Sequence, residues 1–167
     1  MGGKLALQSA ATDQEDLIHS LILVAPSPPS IERMKPSKQT QMKKDPDEPA
    51  AKKSVQEAIC LKLGVAEMDT ATSTPRQVEP ATRKWWIDQG IHHSIADSAK
   101  ALSLPIHVLL AAQDPAITTE MSHKDTLPNL PVNTSYTLHP TSGHLVPLED
   151  PQWLSEQIRK ICKLDLS

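Results

Sequence analysis

The sequence predicts an α/β fold built on a parallel sheet of about three strands. Two compact runs, Leu21–Ala25 and Ile106–Ala111, are apolar on both faces, as strands buried in a parallel sheet are. A third run, Asn133–Leu138, alternates in character and is predicted to be the last strand. Helical segments separate the three runs, and strands that alternate with helices favour a parallel sheet with crossover helices.

Several segments have the spacing of helices. Residues 3–14 carry small side chains on one side, which would let a helix lie close to a sheet. Ser54–Leu63 repeats apolar residues every four positions, and Gly64 is predicted to end that helix. Shorter helices are predicted over Arg83–Gly90, Ile95–Leu102 and Thr118–Leu127, whereas residues 67–82 are polar and broken by prolines.

The closing helix has the clearest sequence signals. Asp150 can cap its first turn, and Pro151 fits the first helical position. Four apolar residues then form an inner stripe: Trp153, Leu154, Ile158 and Ile161. We expect this helix to cover the sheet.

The segment between the first two strands, residues 26–104, is predicted to be a proline-rich lid. Within it, residues 26–53 hold six prolines and seven basic residues against four acidic ones, with no apolar periodicity. We therefore assign no core to residues 26–53 and expect them to be poorly ordered. Trp85 and Trp86 either pack the lid onto the core or line a substrate pocket, and the sequence leaves both open.

Composition excludes several classes of function. The 167 residues carry 17 Lys and Arg against 20 Asp and Glu, a net charge of −3, so no basic excess indicates a nucleic-acid partner. No apolar run is long enough to span a membrane, and no secretory signal is evident. Cys60 and Cys162 cannot form a disulfide framework, which favours a cytoplasmic location. His92 and His93 lack companion ligands, so neither a metal nor a cofactor is expected.

Two residues just past the second and third strands are the candidates for chemistry. Asp114 follows Ile106–Ala111, and His144 follows a glycine in the loop after the third strand. Parallel sheets place ligands at the carboxyl ends of their strands, so both side chains are expected at one edge. A carboxylate that accepts from one imidazole nitrogen leaves the other nitrogen free to act as a base. The alternative roles are a turn cap for Asp114 and an ordinary loop position for His144.

The motifs around these residues resemble those of the α/β-hydrolase family. They are strand-x-x-Asp-Pro at Asp114 and Gly-His-x-x-x-x-Glu-x-Pro from Gly143 to Pro151. The order of acid before histidine also matches the family. The resemblance implies a partial α/β-hydrolase fold in which residues 1–25 follow the nucleophile, 26–104 form the lid and 105–167 carry the acid and the histidine. It also implies esterase-like chemistry on a small apolar substrate, with Asp114 as the triad acid and His144 as the base.

The same comparison places the family's nucleophile one residue before Met1. Met1-Gly2-Gly3 is similar to the sequence that follows the catalytic serine of Gly-x-Ser-x-Gly. An acid–base pair with no nucleophile to activate is not expected to turn over esters, so the chain alone is predicted to be inactive. Ser27, which follows the first strand, is the one substitute nucleophile considered, and its proline-flanked turn argues against it.

Two hypotheses follow from this comparison. The chain is either part of a serine hydrolase whose upstream segment lies outside this sequence, or a non-catalytic remnant that binds a ligand or a partner. On the second hypothesis, Leu21–Ala25 is an exposed edge strand that could pair with a second copy of the chain.

Overall fold

The computed structural model describes residues 1–163, and these form a three-stranded sheet with helices on both faces. The strands are β1 (Leu21–Val24), β2 (Ile106–Ala111) and β3 (Ser135–His139). The helices are α1 (Gly2–Ala11), α2 (Pro36–Met42), α3 (Glu48–Ala58), α4 (Val65–Ser73), α5 (Pro80–Trp85), α6 (Ala96–Lys100), α7 (Thr119–Met121), α8 (Val146–Glu149) and α9 (Pro151–Cys162). Single π-helical turns continue α5 over Trp86–Gly90 and α7 over Ser122–Thr126.

The sheet is parallel throughout and has the order β1-β2-β3. Leu21 is in register with Ile106, and His107 with Ser135. The predicted α/β class is therefore confirmed, and β2 begins and ends at the predicted residues. Since β2 is central, the loops that follow β2 and β3 leave the sheet side by side at one edge.

One face of the sheet carries the main core. Alternate residues of β2 point into it, and it is closed by α1, α6 and the segment before β3. The buried members are Leu7, Leu23, Ile95, Ala99, Ile106, Val108, Leu110 and Leu130. This core is aliphatic, as a sequence without phenylalanine requires.

Helix α9 lies over part of the opposite face of the sheet, where the ring of Trp153 packs edge-on against His139 with 4.6 Å between the ring centroids. Asp150 accepts a hydrogen bond from the backbone N–H of Trp153, and Pro151 lies in the first turn, as predicted. Lys163 ends the helix with a left-handed φ of 53°. No residue of α9 is fully buried, so this face is covered only in part.

The secondary structure of the lid, residues 26–104, differs from the prediction. Residues 26–53 contain α2 and the start of α3, and Ala51 is buried with 1% exposure, so assigning no core to this segment was wrong. Helix α3 begins at Glu48, where the Asp47 carboxylate caps the N–H of Ala50. It ends at Ala58, and Gly64 begins α4 instead of ending a helix.

A buried lysine joins α1 to the lid. Lys4 is 3% exposed, and its ammonium donates to the carbonyl oxygens of Ser30 at 2.9 Å and His93 at 2.8 Å. The same ammonium lies 5.7 Å from the ring centroid of Trp86, which is buried, while Trp85 is exposed. Burial lowers the pKa of the Lys4 side chain, an effect that Glu32 opposes. Trp86 therefore packs the lid onto α1.

Within residues 1–163, no helix combines the length and the apolar character needed to cross a bilayer.

Candidate active site

Asp114 lies in the turn directly after β2. Its side chain is 1% exposed, and Oδ1 accepts from the backbone N–H groups of Ala116 at 2.7 Å and Ile117 at 2.8 Å. Pro115 follows directly in this turn. The turn thus holds one carboxylate oxygen and leaves Oδ2 free to accept from another group.

His144 supplies that group. Its Nδ1 lies 2.7 Å from Asp114 Oδ2, across 30 positions of sequence. Because an ionised carboxylate can only accept, Nδ1 carries the proton and Nε2 has a free lone pair. The His144 side chain is 33% exposed, and within residues 1–163 Nε2 has no hydrogen-bond partner. The pair therefore has the geometry of a fixed base that is open to a substrate or a nucleophile.

Glu149 holds the loop that carries His144. Its Oε2 accepts from the backbone N–H groups of Cys60 and Leu61 at 2.8 Å and of Gly143 at 2.9 Å, and Oε1 accepts from Leu145 at 3.0 Å. The carboxylate thus binds the residue on each side of His144 and ties both to the segment after α3. Among residues 1–163, Glu149 makes no hydrogen bond to the imidazole, so it positions His144 through the backbone.

Gly143 is required by a close backbone contact. A Cβ at this position would lie 2.5 Å from the carbonyl oxygen of Ala58, which also accepts from the N–H of His144 at 2.7 Å. The φ of Gly143 is not left-handed, so space and not backbone conformation demands glycine here. The end of α3 and the histidine loop therefore approach each other only because this residue lacks a side chain.

Ser27 lies on the same edge of the sheet but does not join the pair. It is 5% exposed, and its Oγ accepts from the amino group of Met1 at 2.8 Å. Burial lowers the pKa of that amino group below its ordinary value. The described part of the chain shows no hydrogen bond between Ser27 and His144, so Ser27 has no contact that would activate it.

A second histidine–carboxylate pair, His139 and Asp150, supports the loop that carries His144. The sequence analysis did not predict this pair. His139, the last residue of β3, has Nδ1 facing the N–H groups of Thr141 and Ser142, at 3.2 and 2.9 Å. The proton is therefore on Nε2, which donates to Asp150 at 3.1 Å. With both nitrogens occupied, this histidine fixes the loop to α9 and has no lone pair to offer.

The described residues offer no metal site. His92 and His93 are both exposed, as the sequence suggested, and residues 1–163 contain no cluster of three or more potential ligands among His, Cys, Asp and Glu. Cys60 and Cys162 are free and exposed.

Solved structures with the same arrangement of elements identify the fold. An esterase from Exiguobacterium antarcticum matches 96% of this chain with a TM-score of 0.82 at 14% identity. A bromoperoxidase from Bacillus anthracis matches 98% with a TM-score of 0.81, also at 14% identity. An enol-lactonase from Burkholderia xenovorans LB400 matches 98% with a TM-score of 0.70 at 13% identity. This chain has a partial α/β-hydrolase fold.

The α/β-hydrolase match is limited in two ways. The chain spans 63% of the length of the esterase, 64% of the bromoperoxidase and 63% of the enol-lactonase. No protein-family model matches the sequence. No curated protein matches it either.

Proposed function

We propose that this chain is the acid–base part of an esterase-like serine hydrolase that acts on a small apolar ester. The observation that carries the proposal is the 2.7 Å contact between His144 Nδ1 and the buried Asp114 carboxylate. In this role His144 Nε2 takes the proton of a serine hydroxyl, and Asp114 holds the imidazole in the required tautomer. The esterase and enol-lactonase among the structural neighbours support an acyl substrate.

The 167-residue chain by itself is proposed not to turn over esters. Within residues 1–163, no serine hydroxyl is hydrogen-bonded to His144. On the alignment of Met1-Gly2-Gly3 with the segment that follows the hydrolase nucleophile, the serine would immediately precede Met1. A base with no attached nucleophile can assist water only weakly, and loss of a single oxyanion donor costs a hydrolase about 10²- to 10³-fold in rate. The cytoplasmic location remains part of this proposal.

The test joins the chain to a nucleophile. The upstream portion of the Exiguobacterium esterase, ending at its nucleophile, is fused before Met1, and steady-state hydrolysis of p-nitrophenyl butyrate is compared with that of the unfused chain. We expect turnover in the fusion only, lost by about 10⁴-fold in Asp114→Asn because the imidazole then takes the wrong tautomer. Turnover by the unfused chain that disappears in His144→Ala would overturn the proposed inactivity.

A second measurement does not depend on the fusion folding. In ¹⁵N-resolved NMR spectra of the unfused chain, His144 should show a protonated Nδ1 and an unprotonated Nε2. Asp114→Asn should change that tautomer ratio, while Asp97→Asn on α6 should not. A His144 ring with the opposite tautomer in the unsubstituted chain would refute the assigned role of Asp114.

A second candidate function, a non-catalytic interaction module, is favoured by the edge of the sheet. Strand β1 is the end strand, and Leu21, Ile22 and Val24 are only half-buried. In the described residues β1 pairs on one side alone, so the backbone groups of Ile22 and Val24 face away from β2. We propose a second copy of the chain as the partner of this edge.

Light scattering should then give a dimer that Ile22→Lys converts to a monomer. A monomer at high concentration before substitution would refute the pairing.

A further inference from the structure

A second cluster of hydroxyl and imidazole groups lies at the opposite edge of the sheet from Asp114. His107 is the second residue of β2, and Ser135 is the first residue of β3. These two residues are direct partners in the strand register, so their side chains leave the same face of the sheet. Ser135 Oγ lies 2.6 Å from His107 Nδ1, and Thr137 Oγ1 lies 2.9 Å from His107 Nε2.

The cluster opens into a cleft. The cleft has a volume of about 540 Å³ and lies between the amino ends of the strands and the last turns of α9. Ser135, His107 and Thr137 line it on the sheet side, and Lys160 and Ile161 line it on the helix side. Ser135 is exposed, while His107 is partly buried. The volume of the cleft lies within the range of small-molecule sites, so a compact ligand can reach the hydroxyl of Ser135.

The hydrogen bonds define a direction for proton transfer. When Nε2 of His107 donates to the Thr137 hydroxyl, Nδ1 has a lone pair that accepts from Ser135. Burial lowers the pKa of His107, which keeps the ring neutral near pH 7 and preserves that lone pair. A hydroxyl that donates to an imidazole whose other nitrogen is held by a third group has the arrangement that activates a serine nucleophile.

We propose that Ser135 is a reactive serine, activated by His107, that accepts an acyl group from small activated esters entering this cleft. In the step, Ser135 Oγ forms a bond to the acyl carbon and its proton moves to His107 Nδ1. The bond from the acyl carbon to the leaving-group oxygen then breaks, and the proton passes from His107 to that oxygen. The products are O-acyl-Ser135 and the free alcohol or phenol, with no change of oxidation state.

The rate of this acylation step is limited by Thr137, the partner of His107 Nε2. Thr137 is neutral, and no Asp or Glu among the described residues lines the cleft, so the developing imidazolium gains little stabilisation. A positioned base contributes about 10²- to 10⁴-fold, and the lower end applies where no carboxylate supports it. We therefore expect stoichiometric acylation of Ser135 and not rapid turnover, which separates this reaction from the steady-state hydrolysis assigned to Asp114 and His144.

The experiment maps the acylated residue. The 167-residue chain is incubated with p-nitrophenyl acetate, digested and analysed by mass spectrometry at successive times. Ser135 should be acetylated about 10²-fold faster than Ser20, a serine that lines the same cleft and whose hydroxyl has no hydrogen bond to a histidine in the described residues. His107→Gln should remove that advantage, and Asp97→Asn on α6 should leave it unchanged because Asp97 does not line the cleft. Ser20→Ala is the matched control and should leave Ser135 labelling intact.

Either of two outcomes with the unsubstituted chain and His107→Gln would overturn the proposal. One is equal acetylation of Ser135 and Ser20 in the unsubstituted chain, and the other is undiminished labelling of Ser135 in His107→Gln. If His107→Gln does not give a cooperative thermal transition, Thr137→Val replaces it, because losing the Nε2 partner frees the ring to rotate from Ser135. Thr137→Ser, which keeps the hydroxyl, should restore the labelling rate, and failure of that rescue would also contradict the assignment.

Discussion

Replacing Glu149 with alanine is expected to be among the most destabilising single changes in the loop that carries His144. The carboxylate accepts from four backbone N–H groups at 2.8 to 3.0 Å, and three of these bonds are partly buried. A hydrogen bond to a charged group contributes about 1.5 to 3 kcal/mol. Counting only the three partly buried bonds at the low end gives a loss of about 4.5 kcal/mol in the free energy of unfolding. That is a large share of the roughly 5 to 15 kcal/mol that stabilises a typical domain.

Urea unfolding at neutral pH, followed by circular dichroism, measures this loss. Glu149→Gln should lose less than alanine because the amide oxygen still accepts, although without charge. Glu156→Ala on α9 is the matched control, since within residues 1–163 its carboxylate bonds only to the exposed Gln152 side chain, and we expect a change within about 0.5 kcal/mol. Hydrogen exchange at the amides of Gly143 and Leu145 should accelerate in Glu149→Ala. A loss below about 1 kcal/mol with unchanged exchange would refute the reasoning.

Three further substitutions test other contacts. Lys4→Met keeps the volume of the stem but leaves carbonyl groups of the lid without a donor, so the thermal midpoint should fall by an amount equivalent to about 1 to 3 kcal/mol. Gly143→Ala places a Cβ 2.5 Å from a backbone oxygen, and overpacking of this kind should cost about 1 to 3 kcal/mol in urea unfolding. The N–H of Trp153 and then His139 lower the pKa of the Asp150 carboxyl below 3.8. Its stabilisation is therefore complete above that pH and is lost as the pH falls through the folded-state value, a dependence that acid titration of unfolding should show and Asp150→Asn should abolish.

Elements with strong local signals were predicted closely. Strand β2 has the predicted bounds because its six consecutive residues, nearly all apolar, match a strand that is buried on both faces. Helix α9 begins where predicted, because an aspartate cap and a first-turn proline occur together at Asp150 and Pro151. In both cases a few adjacent residues determine where the element begins, and packing against distant residues shifts that position little.

Three features of the structure differ from the prediction or were absent from it, each for its own reason. The start of α3 was visible in Asp47-Glu48-Pro49, a cap followed by a first-turn proline, but the high charge and proline content of the segment obscured it. Gly64 has an extended backbone, with φ at −68°, and so begins a helix where a left-handed glycine would have ended one. The role of His139 had no local signal, because its ring is fixed by a carboxylate 11 positions away.

The position of Lys4 also constrains the order in which the molecule assembles. Its three carbonyl partners lie 26, 86 and 89 positions away along the chain, and until they converge the ammonium group keeps its hydration shell. Removing water from an ion before its partners are in place is costly, so α1 can settle fully onto the sheet only after the Gly90–His93 bend has arrived. Contacts of such long sequence separation slow folding. Final docking of α1 is therefore a late event in folding. During synthesis, Lys4 can lose its hydration shell only after the chain has been made as far as His93.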